Sequence, residues 1–152
     1  MRLFLISLAA TFTVVTPALA DEARVEARGG IAFGNGESEF LVGGAVGYDF
    51  DLGDAAFVGA EVSGDKILDS NAGRVGVGLT GRVGARLGNG KLYANGGYTT
   101  KFCSSCDGTW HAGAGYEHGL GGGLYGKVEY RHYLVDGGGD IDAVGIGLGV
   151  KF

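Results

Sequence analysis

Period-two alternation in eight successive segments, charges confined to one parity and a removable leader predict an all-β fold, an eight-stranded antiparallel up-and-down transmembrane β-barrel. Composition narrows the field first. Glycine supplies 33 of 152 residues, roughly three times ordinary usage. Each glycine in a helix costs roughly 1 kcal/mol relative to alanine, so a helical bundle is excluded. Collagen is excluded because glycine shows no three-residue period and the single proline is Pro17. At 45% hydrophobic and 11% aromatic, the chain is too apolar for disorder. No internal apolar run reaches the roughly 18–20 residues of a membrane helix. A net charge of −5 argues against nucleic acid as a partner.

Residues 1–20 read as a cleaved signal peptide. Arg2 supplies the positive start, residues 3–15 are apolar, and Ala18, Leu19 and Ala20 form a small-x-small cleavage site before Asp21. Export places the remaining chain, residues 21–152, outside the cytoplasm. Loss of Arg2 takes its net charge from −5 to −6.

In the exported chain, alternate residues separate into two sets. Val25, Ala27, Ile31 and Phe33 oppose Arg24, Glu26, Arg28 and Gly30 in segment 24–34. The same split recurs in 40–52, 56–64, 74–87, 92–102, 109–118, 124–134 and 143–152. Eight strands in this length suit spans of about 9–11 residues with short connections. Within these segments no Asp, Glu, Lys or Arg falls on the apolar parity, while Lys66 is expected in a loop and Lys91 at a turn. The opposite parity mixes glycine and alanine with arginine and glutamate, as a crowded concave interior requires. An even strand count with closure leaves no open edge for lipid to meet. Apolar-face aromatics gather at two levels, Phe33, Phe40, Phe102, Trp110 and Tyr130 at one, Tyr48, Phe50, Tyr116 and Phe152 at the other.

On these residues the chain resembles the small eight-stranded outer-membrane β-barrels of Gram-negative bacteria, the OmpA-like transmembrane-domain and opacity-type porin group. The likeness is most specific at residues 124–133, a Gly/Asp loop, and residues 144–152 ending in Phe152. The resemblance implies an outer-membrane location with both termini periplasmic. It also implies a C-terminal strand, ending in Phe152, read by the barrel-assembly machinery with periplasmic chaperones. Partners implied are outer-membrane lipid and lipopolysaccharide, and a monomer is expected. The chain departs from larger relatives in having short outer loops and no peptidoglycan-binding domain.

That topology makes 35–39, 65–73, 103–108 and 135–142 outer loops and 53–54, 88–90 and 119–123 periplasmic turns. The outer loops are acidic, with Glu37, Glu39, Asp65, Asp69, Asp107, Asp136, Asp140 and Asp142 against Lys66, which serves loop solubility or weak cation attraction. The run from Asp136 to Asp142 is one imperfect match to a calcium loop and defines no metal site. Cys103 and Cys106, in an exported chain, favour a disulfide closing a tight loop. A redox or metal reading would need a helix N-terminus or two further ligands.

The lumen is the expected seat of any activity. Arg28, Glu61, Arg82, Glu117, Glu129 and Arg131 face inward near mid-depth, three bases and three acids that must pair or be hydrated. They form either a plug that fixes the barrel or the gate of a narrow ion path. Lipid-modifying catalysis would need an activated serine with histidine and an acid. Ser63 faces the lumen, Ser104 and Ser105 lie in a loop, and His118 and His132 sit at the interfaces, so no catalytic residue is assigned. No cofactor is expected.

Overall fold

The computed structural model describes residues 21–34, 36–68, 75–100, 108–135 and 139–152. These hold eight strands: β1 (Glu22–Gly34), β2 (Glu37–Leu52), β3 (Ala56–Ile67), β4 (Val75–Leu87), β5 (Gly90–Thr99), β6 (Thr109–Gly121), β7 (Leu124–Leu134) and β8 (Ile141–Lys151). Each pairs antiparallel with the next, and β8 returns to β1 to close the barrel. Closure satisfies every ladder and leaves no edge strand.

The register fixes the shape. A ladder from Glu22 passes through Asp49, Gly59, Arg82, Asn95, Gly113, Arg131 and Ala143 and returns to β1 at Ala32, ten residues along. This stagger tilts the strands against the barrel axis. Because it is even, inward residues stay inward all the way round.

One end carries the termini and three tight turns, at Gly53–Ala55, Gly88–Asn89 and Gly122–Gly123. Gly122 and Gly123 have φ of 61° and 80°, the left-handed pair that a two-residue type I′ hairpin needs. The other end, the loop end, carries the four remaining connections.

All eight expected strands are present, but several run longer than the alternation suggested. Glu37 and Glu39 belong to β2, Asp65 and Lys66 to β3, Lys91 to β5 and Asp142 to β8, not to loops or turns. The turn expected at 119–123 contracts to two residues because β6 continues to Gly121. A charge at a strand end reads as a loop in sequence, although Asp65 and Lys91 point inward and are buried. Lys66 and Asp142 correct the strict charge sorting, since both lie on the outward parity of their strands at the loop end. The leader, Arg74, Lys101, Phe102, Cys103, Cys106, Asp69, Asp107 and Asp136 lie outside the described residues.

The barrel is inverted relative to a water-soluble core. Outward Leu79, Ile146 and Phe152 are 64%, 69% and 71% exposed, while inward Arg24, Asp49 and Glu117 are at most 1% exposed. An apolar belt of this extent around a whole protein suits contact with hydrocarbon rather than water. Val77→Arg or Ala114→Arg, each placing a charge in that belt, is expected to destabilise the barrel by about 2–4 kcal/mol in denaturant titrations in phospholipid bilayers. Unchanged midpoints for both would contradict the parity.

Candidate functional site

The lumen is built from pairs that meet across glycine. Strands two apart in the sheet are separated by one intervening strand, and inward side chains on the outer two can touch only over a small residue. The registers place Gly47 between Arg24 and Glu61, Gly43 between Arg28 and Asp65, and Gly59 between Asp49 and Arg82. They likewise place Gly97 between Thr80 and His111, Gly115 between Tyr93 and Glu129, and Gly149 between Tyr125 and Glu26. All six pairs are hydrogen-bonded. A Cβ on Gly47 would lie 2.6 Å from Arg24 Cζ, and one on Gly149 would lie 2.6 Å from Tyr125 Cζ. These glycines are saddles over which the network is strung.

Glu61 is the hub. Its carboxylate accepts from Arg24 Nη1 at 2.8 Å, Arg131 Nη2 at 2.8 Å and Arg28 Nη1 at 3.0 Å. Lys127 Nζ stands 3.6 Å away. Four cations around one carboxylate are tolerable because each has a second anion. Arg28 forks onto Asp65, Arg131 Nε donates to Glu129 at 2.6 Å, and Lys127 pairs with Glu26 at 2.5 Å. Arg24 also lies 3.7 Å from Glu26.

A second cluster lies toward the turns. Arg82 forks onto Asp49 and reaches Glu117 Oε2 at 3.2 Å. Lys91 donates to Asp49 at 2.8 Å and to Glu22 at 2.7 Å, and Lys151 donates to Glu117 at 2.6 Å. Phe57, Tyr93 and Tyr125 are 0%, 3% and 0% exposed; Tyr93 and Tyr125 donate to Glu129 and Glu26 at 2.7 Å each, and Phe57 lies against Arg82 and Lys91. The Arg82 guanidinium stacks 5.2 Å from the Phe57 ring and 4.8 Å from the Tyr93 ring, favourable cation–π geometry. Gly84 separates Phe57 from Tyr93 in the ladder and leaves room for both rings.

The structure brings all six residues singled out in the sequence into the lumen. Arg28, Glu61, Glu129 and Arg131 share the hub, whereas Arg82 and Glu117 belong to the second cluster. Sequence reasoning missed Arg24, Glu26, Asp49, Asp65, Lys91 and Lys127, and also Glu22 and Lys151, which complete seven bases and seven acids in the two clusters. It also missed the lumen aromatics Phe57, Tyr93, Tyr125 and Tyr133. The available signal was the inward glycine flanked by complementary partners, visible only once register is known.

Outside the lumen, His132 Nδ1 lies 2.8 Å from Asp142 Oδ1, which also accepts from Tyr130 at 2.5 Å. The cross-strand neighbours of His132 are Ala112 and Asp142, so no serine stands beside it among the described residues.

No protein-family model matches the chain, and no curated protein matches it. Solved structures do. The N-terminal β-barrel domain of Pseudomonas aeruginosa OprF superposes with a TM-score of 0.57 at 19% identity, over 86% of this chain and 97% of that one. Neisserial surface protein A gives 0.55 at 12% identity, over 87% and 97%. The outer membrane enzyme PagL gives 0.51 at 14% identity, over 84% and 98%. The chain has the fold of the small eight-stranded outer-membrane barrels. Likeness at these identities speaks for that fold alone. Its neighbours include an enzyme, so a barrel of this kind is compatible with catalysis and does not imply it.

Within this outer-membrane barrel fold the hub is the element most sensitive to change. Glu61→Gln leaves four buried cations short of one anion and is expected to cost about 3–5 kcal/mol in urea unfolding. Arg86→Gln, which breaks a half-exposed pair with Asp51 at the turn end, is expected to cost at most about 1 kcal/mol. Equal losses would contradict the hub.

Proposed function

We propose that the protein is an integral outer-membrane barrel with a structural or surface role and a lumen closed by its own side chains. The observation that carries this reading is the burial of Phe57, Tyr93 and Tyr125 in the lumen against the two charge clusters. An ion crossing the barrel would have to displace three aromatic rings and unpair several buried charges, each a cost of several kcal/mol. The seven bases and seven acids of the two clusters balance, leaving them without a net charge to attract one sign of ion. The apolar belt supports membrane insertion, and the exposed aromatics Phe33, Phe40 and Trp110 at one level and Phe50, Tyr116 and Phe152 at the other support two girdles.

On this reading residues 1–20 direct export, Phe152 closes the strand recognised during assembly, and outer-membrane lipid and lipopolysaccharide surround a monomer. On this reading the protein is not an enzyme; among the described residues the cross-strand neighbours of His132 are Ala112 and Asp142, and neither is a serine. A second reading, a narrow gated ion channel, draws on a cavity of about 40 Å³ on the loop side of the hub.

Planar-bilayer recording of the refolded exported chain separates the two. The plugged barrel is expected to be silent, in preparations whose folding is verified by heat-modifiable mobility. Discrete openings that change in Glu61→Ala and Arg82→Ala would overturn it in favour of the channel.

A further inference from the structure

On the outward face, the loop end of β7 and β8 carries a cluster that the lumen does not use. His132 on β7 and Asp142 on β8 are direct cross-strand partners, and Asp140 stands just before β8. His132 Nδ1 lies 2.8 Å from Asp142 Oδ1, and its Nε2 lies 3.5 Å from Asp140 Oδ2. Tyr130, two residues below on the same face, donates to Asp142 at 2.5 Å. Asp140 also accepts from the backbone N–H of Val135 at 3.3 Å, so it ties together the two ends of the β7–β8 connection. The side chains of His132, Asp140 and Asp142 are 35%, 50% and 48% exposed, so protons reach all three.

Two ring nitrogens facing two carboxylates select one protonation state. A neutral imidazole has one N–H and one lone pair. It donates to one carboxylate and turns its lone pair on the other. The imidazolium donates to both. Among the described residues no cation faces the ring to offset this. Trp110, Ala112 and Ala114 share its face on β6, Tyr130 and Leu134 flank it on β7, and Asp142 and Val144 face it from β8.

We propose that His132, Asp140 and Asp142 form a pH-sensitive clasp on the β7–β8 connection, closed when His132 is protonated and released when the ring is neutral. The sign follows from the partners. Both carboxylates favour the charged ring in the folded state. The contribution of the clasp is therefore complete below the ordinary imidazole value of about 6.5, and it is lost as pH rises and the folded ring gives up its proton.

An NMR titration of the histidine ring protons, on the refolded chain in phospholipid nanodiscs, tests the clasp, with His132→Gln assigning the His132 signal. His132 is expected to titrate above about pH 7, and Asp140→Asn together with Asp142→Asn to return it to about 6.5. Asp142→Asn alone is expected to bring it part of the way and covers the case in which the double variant does not fold. Protection of the Val135 N–H against hydrogen exchange, corrected for the intrinsic pH dependence of exchange, is expected to fall several-fold over the same pH interval. In His132→Gln it is expected to be independent of pH. A His132 midpoint at or below about 6.5 would overturn the proposal. Val135 protection that falls equally in His132→Gln would overturn it as well, by showing that the connection loosens without the ring.

Discussion

Everything inside this barrel depends on side chains reaching one another over glycine. In an eight-stranded barrel the inward faces converge on a narrow interior, and long side chains on adjacent strands would compete for the same space. Inward glycines on β2, β3, β4, β5, β6 and β8 resolve the conflict. They let Arg24 lie across Gly47 to Glu61, and Tyr93 across Gly115 to Glu129, so partners two strands apart become near neighbours. The high glycine content is thus a packing requirement of a charged interior, more than a requirement of the turns.

The saddles also explain why a charged interior is stable. Buried ions are costly unless their hydrogen-bonding capacity is filled. Each saddle pair ties three strands at once, and the Glu61 hub joins β1, β3 and β7. The saddle ties run along the ladder rows on the inward face, and the Arg131–Glu61 contact crosses the lumen from β7 to β3. Ladders alone would allow the cross-section to flatten; cross-lumen pairs and the buried aromatics Phe57, Tyr93 and Tyr125 hold it round. The same ties fill the passage, so a rigid barrel and a closed barrel have one cause.

Strand number and facing were legible in the sequence because the period is two throughout and hydrocarbon on one side tolerates few exceptions. Strand ends were less legible. Asp65 and Lys91 look like loop residues until their partners Arg28, Asp49 and Glu22 are known, and those partners lie 37, 42 and 69 positions away. Lys66 and Asp142 escaped the sorting because the outward face becomes polar at the loop end. The composition of the lumen was readable from parity, but its wiring was not. Parity says that Arg82 and Glu61 both point inward; only the ten-residue stagger says that Arg82 meets Asp49 and Glu117 while Glu61 meets Arg24, Arg28 and Arg131. The inward glycines were visible all along as small residues beside long ones, without register to show which pairs they served.

The most direct test of the saddle principle compares two glycines that differ only in which way they face. Gly47 faces inward, and an added Cβ there meets the Arg24 guanidinium; Gly81 faces outward, and an added Cβ meets nothing nearer than 3.8 Å. Unfolding free energies of Gly47→Ala and Gly81→Ala in the same bilayer system decide the matter. The saddle principle predicts that Gly47→Ala loses about 1–3 kcal/mol by crowding the buried pair, while Gly81→Ala is neutral or slightly stabilising. Equal effects at the two positions would show that the interior does not depend on its glycines.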